Sequence, residues 1–460
     1  MSFMIAFGLA SSMLLAGILL RAKVSLFREM MVPSSVIAGV LGILFMNLVS
    51  AAGVNVGTDF EMFSTIVNHL FTISFISISL TSTSKENGNT AKNVVKGAVG
   101  LGMVWCFLYA VTPLIATGVV SLFGGAYGMD RVYGMLIQFA YCQGPGQSAA
   151  YGALFEQFGW ENAAMVAIAF SAVGFVAAFL VGVPAARLGI LRGLAKNCGR
   201  INSATQKGYY KKAEQTELMV KDTTCSSNIE TLSFHFALIG LCYILAVLIS
   251  RVLGLLPGFL GTSMEGMMFM NGMYAAYLVK WLMRKLRLEF LQENTLQGKI
   301  TGWTADYLVV CAFMAVSVHI ISSWIVPILL VCAVTTAVTF LVCFYFGQRF
   351  GGENDFERTL GLYGTCTGTV PSGISLVRIA DPNFRTTTSI ELGGCNVVMI
   401  ASTPVYMIIL ALASGSLGMA PAMGGLAVCA AAYLAALKLT GTWGKKTFEW
   451  KGARNGNTIS

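Results

Sequence analysis

Two short stretches, Cys142-Gln143-Gly144-Pro145-Gly146-Gln147-Ser148 and Cys366-Thr367-Gly368-Thr369-Val370-Pro371-Ser372, share the pattern C-x-G-x-x-x-S at a constant offset of 224 residues. Each sits in the middle of an apolar run, 134–156 and 361–379, that it interrupts with glycine, proline and small polar side chains. Glycine opens backbone conformations closed to other residues, and proline suits the first turn of a helix that restarts after a break. Unwound backbone inside a membrane is tolerated only where protein covers it or it lines a cavity. Both runs therefore read as loops that dip into a bilayer and return on the side they entered.

The surrounding sequence places these loops in a membrane. The chain has 460 residues, 56% hydrophobic and 11% charged, with a mean hydropathy of +0.72; a soluble domain carries roughly a quarter charged residues. Runs near 3–20, 33–51, 64–83, 95–121, 162–183, 231–250, 259–280, 303–321, 325–346, 388–412 and 417–438 approach the ~20 apolar residues that a spanning helix needs. The first run reads as a retained span rather than a removable signal. The stretch 187–230 is a polar linker with eight Lys/Arg against four acids. The 11 cysteines form no CxxC pair and the three histidines lie far apart, so neither a disulfide scaffold nor a metal ribbon is supported.

If those eleven runs cross and the two broken ones return, an outside N-terminus puts 28 of the 30 Lys/Arg on the cytoplasmic side, leaving only Arg131 and Arg251 outside. Cytoplasmic loops are enriched in such residues. Letting the broken runs cross would send basic segments outside. The net charge of +9 thus records orientation in a membrane, with a cytoplasmic C-terminus, rather than affinity for nucleic acid.

Each half then holds five spans and one loop. Because five is odd, the second half enters from the opposite side and is inverted relative to the first. The expected architecture is an all-α polytopic membrane protein. Residues 1–186 form the first repeat, 187–230 the linker, 231–413 the second repeat, and 414–460 an extra helix and tail, the last span packing peripherally on a scaffold. Two loop tips meeting from opposite faces would form a midplane site: helix N-termini attract an anion, while unwound carbonyls attract a cation. Gln143, Gly144, Gly146, Gln147, Ser148, Thr367, Gly368, Thr369 and Ser372 are the substrate candidates at these tips. Thr365, Thr369 and Ser372 offer oxygen ligands suited to Na+. Gly39, Gly100, Gly102 and the pair Gly424–Gly425 read as packing glycines.

The stretch Gln143 to Tyr151 followed by Leu154-Phe155, together with Val32 to Gly39 and Gly364 to Ser372, resembles the bacterial glutamate–sodium symporter family, over roughly residues 1–412. The resemblance implies a Na+-coupled, cofactor-free transporter of an acidic amino acid, L-glutamate foremost, in an inner membrane. It also implies a homodimer in which a core domain carries the site past a scaffold, elevator fashion. The chain departs from the family pattern at Pro145, Ser148, Arg378 and Glu391.

Ionisable residues within apolar spans are costly and point to function. Arg378 either meets a substrate carboxylate through its fork of donors, snorkels to the cytoplasmic interface, or pairs with Glu391. Glu391 balances a coupling cation, carries a proton, or is structural, and Asn396 follows five residues later as a further Na+ candidate. Ser171 is a second-rank candidate. Glu265 and Asp306 read as interfacial. An ATP-driven pump is excluded by the absence of a GxxxxGK[ST] loop, and serine-protease chemistry lacks a nearby base for Ser148 or Ser372. The rival readings are a proton-coupled transporter of another organic anion and an ion channel.

Overall fold

The computed structural model describes residues 1–29, 32–81, 88–195, 222–225, 227–257, 261, 264–265, 268–381 and 385–449. Most of the expected linker, including six of its eight basic residues, lies outside the described residues, as does Lys85. The longer helices are α1 (Ser2–Lys23), α2 (Ser34–Ala51), α3 (Phe60–Leu80) and α4 (Gly88–Phe123). They continue as α5 (Ile137–Tyr141), α6 (Pro145–Gln157), α7 (Ala163–Leu191), α8 (Thr231–Gly254), α9 (Met268–Lys285), α10 (Asn294–Met314) and α11 (Ile325–Gly347). The last five are α12 (Asp355–Thr367), α13 (Val370–Ala380), α14 (Thr388–Val398), α15 (Thr403–Ala413) and α16 (Met419–Leu439). Among the described residues there is no strand.

Nine described helical segments are long and apolar enough to cross a membrane. Two expected spans, 259–280 and 303–321, do not reach that standard. The helix covering the first carries Lys280, Arg284 and Lys285 in its last turns. The second begins at Asn294 rather than 303 and so adds Lys299 to the Asp306 that the run already held. A hydropathy run marks where apolar residues cluster, whereas hydrogen bonding and capping decide where a helix starts; here the Glu293 side chain accepts from the Leu296 N–H at 2.6 Å.

The helices do not pack by halves. α1, α2 and α3 pack with α8, α9 and α10, while α4–α7 pack with α11–α16. Within the first group, the third helix of each half, α3 and α10, lie against one another. Around that pair the contacts recur: α1 on α2 answers α8 on α9, and α2 on α10 answers α9 on α3. In the second group α4 packs on α14 while α11 packs on α7. Close approach uses small residues: a Cβ on Gly39 would enter the Phe313 ring at 2.6 Å, and one on Gly102 would meet Val398 at 2.5 Å.

The last helix, α16, packs on α4 and α15, in the group that carries the broken helices. The chain beyond it ties down the foot of α12: Gly444 N–H donates to Arg349 O at 2.8 Å, and the Thr447 hydroxyl to the Asp355 carboxylate at 2.7 Å.

Candidate substrate and ion site at the two helix breaks

The first break separates α5 from α6. Gly144, at φ 84° and ψ −169°, turns the chain, and Pro145 opens α6, where its missing N–H is no loss. Side chains disfavour that left-handed φ, and a Cβ on Gly144 would in addition collide with the Thr369 methyl. The Cys142 carbonyl, freed by the break, accepts from Trp105 Nε1–H at 2.8 Å.

The second break, Gly368-Thr369, separates α12 from α13. Thr369 caps α13 in a capping box with Ser372. The Thr365 hydroxyl donates to Gly361 O at 2.8 Å and the Thr367 hydroxyl to Tyr363 O at 2.7 Å, which leaves their oxygen lone pairs as acceptors. The two breaks touch: the Cys142 thiol donates to the Cys366 carbonyl at 4.0 Å, joining equivalent positions of the repeated motif. The N-termini of α6 and α13, each a partial positive charge, therefore converge on one buried junction. Gln143, Gln147, Ser148, Thr367, Thr369 and Ser372 are all buried there.

Aromatic residues hold the first break in place. Gln143 and Gln147 each donate an amide N–H to the Tyr406 hydroxyl at 3.0 Å, and the Tyr109 hydroxyl donates to Gln147 Oε1 at 3.0 Å. Tyr406 stacks on Tyr151, which stacks in turn on Phe139. A Cβ on Gly146 would run into the Phe71 ring, so α6 lies directly on α3 of the other group. Tyr406 and Tyr109 are contacts of the candidate site that the sequence reading missed; a hydroxyl in a largely apolar helix was their only signal.

Two clefts flank the junction where the helix groups meet. One encloses about 560 Å³ up to its open mouth and is lined by Thr369 and Ser372 of the second break, Phe71 and Phe75 of α3, and Asp306 of α10. The other is smaller and is lined by Gln143, Asn396, Tyr406 and α9 residues. Asn396 donates to Gly393 O at 3.1 Å, while its buried Oδ1 has no described partner. Ser171 is buried one helical turn before Gly174, where a Cβ would meet Thr367 O at 2.6 Å; its hydroxyl likewise has no described partner.

The structure narrows the readings of three charged residues. Glu391 pairs with Arg358 rather than Arg378: the guanidinium donates to both carboxylate oxygens at 2.6 Å, and the Thr387 hydroxyl adds a third bond at 2.8 Å. Arg358 also holds Asp355 at 2.9 Å. This network lies at the foot of α12, where the helix begins at Asp355, and not at the break beyond Thr367 where it ends. Arg378 is exposed and acts on Asp306 through its charge. Asp306, midway along α10, faces the larger cleft rather than a span end. Among the described residues no group of three or more His, Cys, Asp or Glu could hold a metal ion.

The sequence profile of a family described as sodium/glutamate symporter matches residues 1–378. The match takes in both breaks and ends within α13, short of the residue 412 reached by the motif resemblance. No curated protein matches the chain.

Proposed function

The chain belongs to the sodium/glutamate symporter family, a family of membrane transporters, and from that premise we propose that it takes up L-glutamate with Na+ by alternating access. The observation that carries the reading is the junction of the two helix breaks. Two positive helix ends meet there beside buried amides and hydroxyls, which suits an anionic solute and a hard cation together. In this reading Gly144, Gly146, Gly368 and the backbone N–H groups around them receive the substrate carboxylates, with Gln143, Gln147 and Ser148 beside them. Thr365, Thr367, Thr369 and Ser372 supply oxygens, with Na+ favouring Thr365, Thr369, Ser372 and Asn396.

The recurring contacts of the two halves and their shared motif support inverted repeats with re-entrant loops, the N-terminus outside and the C-terminus cytoplasmic. The division into two helix groups, with the breaks confined to one, supports an elevator motion of that group past the other in a homodimer. Glu391, saturated by Arg358 and Thr387, takes a structural role in place of the ion role, and Arg378, whose charge acts on Asp306, guides the anion toward the larger cleft.

The test is uptake of radiolabelled L-glutamate into proteoliposomes with and without an inward Na+ gradient. Na+-driven accumulation that Gly144→Val abolishes in a folded, monodisperse protein supports both the coupling and the site. Accumulation driven equally by a proton gradient without Na+ overturns the coupling; normal uptake by Gly144→Val overturns the site.

A further inference from the structure

Asp306 is a charged group that the transport reading leaves unused. It stands on α10, in the helix group that carries neither break, and its side chain opens into the larger cleft across from Thr369 and Ser372. The Ser35 hydroxyl and the charge of Arg378 bear on its carboxylate, yet it takes part in none of the described ion pairs. A carboxylate midway along a helix of a membrane protein is expensive unless it is used.

The walls of the cleft narrow what it is used for. Phe71, Phe75, Phe175 and Phe179 line the same cleft as the acid. Thr369 and Ser372, which the transport reading gives to Na+, stand on the other helix group, so the acid that shares its cleft with these rings is left for a different cation. An organic ammonium suits it better: the carboxylate takes the charge, a hydroxyl takes a second N–H, and ring faces attract both the cation and its methylenes. A solute whose carboxylates lie at the helix breaks reaches Asp306 with its opposite end.

We propose that Asp306 binds the ammonium of the transported solute and so selects acidic amino acids over dicarboxylic acids that lack an amino group. This rests on the transport reading above. It adds a residue that reads the substrate's positive charge, placed on the opposite helix group from the residues that read its negative charge. The contact exists only while the two groups are arranged as they are here.

The experiment measures binding of L-glutamate and of glutarate, which differs by the amino group, to the full-length protein in the presence of Na+. Wild type, Asp306→Asn, Asp306→Glu and Ser35→Ala are compared. Wild type is expected to prefer L-glutamate. Asp306→Asn is expected to weaken L-glutamate by about 10- to 100-fold, the worth of a charge-assisted hydrogen bond, and to leave glutarate within about twofold. Asp306→Glu retains the preference, and Ser35→Ala reduces it by about threefold, which keeps the test alive if Asp306→Asn does not fold. Equal loss for both ligands, a shift in Na+ dependence with the preference intact, or no change overturns the proposal. A wild type that binds L-glutamate and glutarate equally also overturns it while sparing the transport reading; a wild type that binds neither sinks both.

Discussion

The two helix breaks carry one motif but are held by different means. At the first, a glycine in a left-handed conformation makes the turn, and a tyrosine–glutamine network packed among aromatic rings fixes it. At the second, Gly368 has φ −146°, and the turn is fixed locally, by the capping box of Thr369 and Ser372. One break is braced by distant residues and the other by its own hydroxyls, which also face the larger cleft. A repeated motif thus keeps the interruption of the helix and leaves its chemistry free to differ. The feet differ as well: Arg358 anchors the second hairpin through Asp355 and Glu391, while the position 224 residues earlier is Gly134.

The largest expected effect is at the first turn. Gly144→Ala must hold a side chain at φ 84° and displace Thr369, whereas Gly368→Ala meets chiefly the Ser372 side chain, 2.8 Å away, with the Gly364 carbonyl at 3.3 Å. Gly144→Ala should reduce glutamate uptake at least tenfold more than Gly368→Ala; equal effects would show that the breaks are equivalent. Next in size is the anchor. Arg358→Gln leaves two buried carboxylates without their cation and should lower stability by ~3–5 kcal/mol, read as thermal unfolding in detergent, with Glu391→Gln in the same background recovering part of the loss. An additive double variant would separate the two residues.

A smaller effect is expected where the first break is braced. Tyr406→Phe removes the acceptor of two buried amides and should cost about 1–3 kcal/mol in all, read as weaker L-glutamate binding. The same binding in Tyr406→Phe would mean that the glutamines find other partners. The smallest is at the cap: Thr369→Ala should lower stability by ~0.5–2 kcal/mol. Ser148→Ala, at the position of the first motif that answers Ser372, loses only a bond to the Gly144 carbonyl at the start of its own helix and should change unfolding less than Thr369→Ala does. The reverse order would break the contrast between a braced and a capped turn.

Much of this was legible in the chain itself, because hydropathy, helix punctuation and charge asymmetry are local or additive properties. Membrane class, the two interrupted helices, their 224-residue offset and the cluster of Gln, Thr and Ser at the breaks all follow from residues read in order. Tertiary structure alone decided that Glu391 is neutralised by Arg358 rather than Arg378, that Tyr406 braces both glutamines, that α16 packs beside the broken helices, and that Asp306 faces the second break. Each of these joins residues tens to hundreds of positions apart, and periodicity along one helix carries no information about which face of which other helix it will meet.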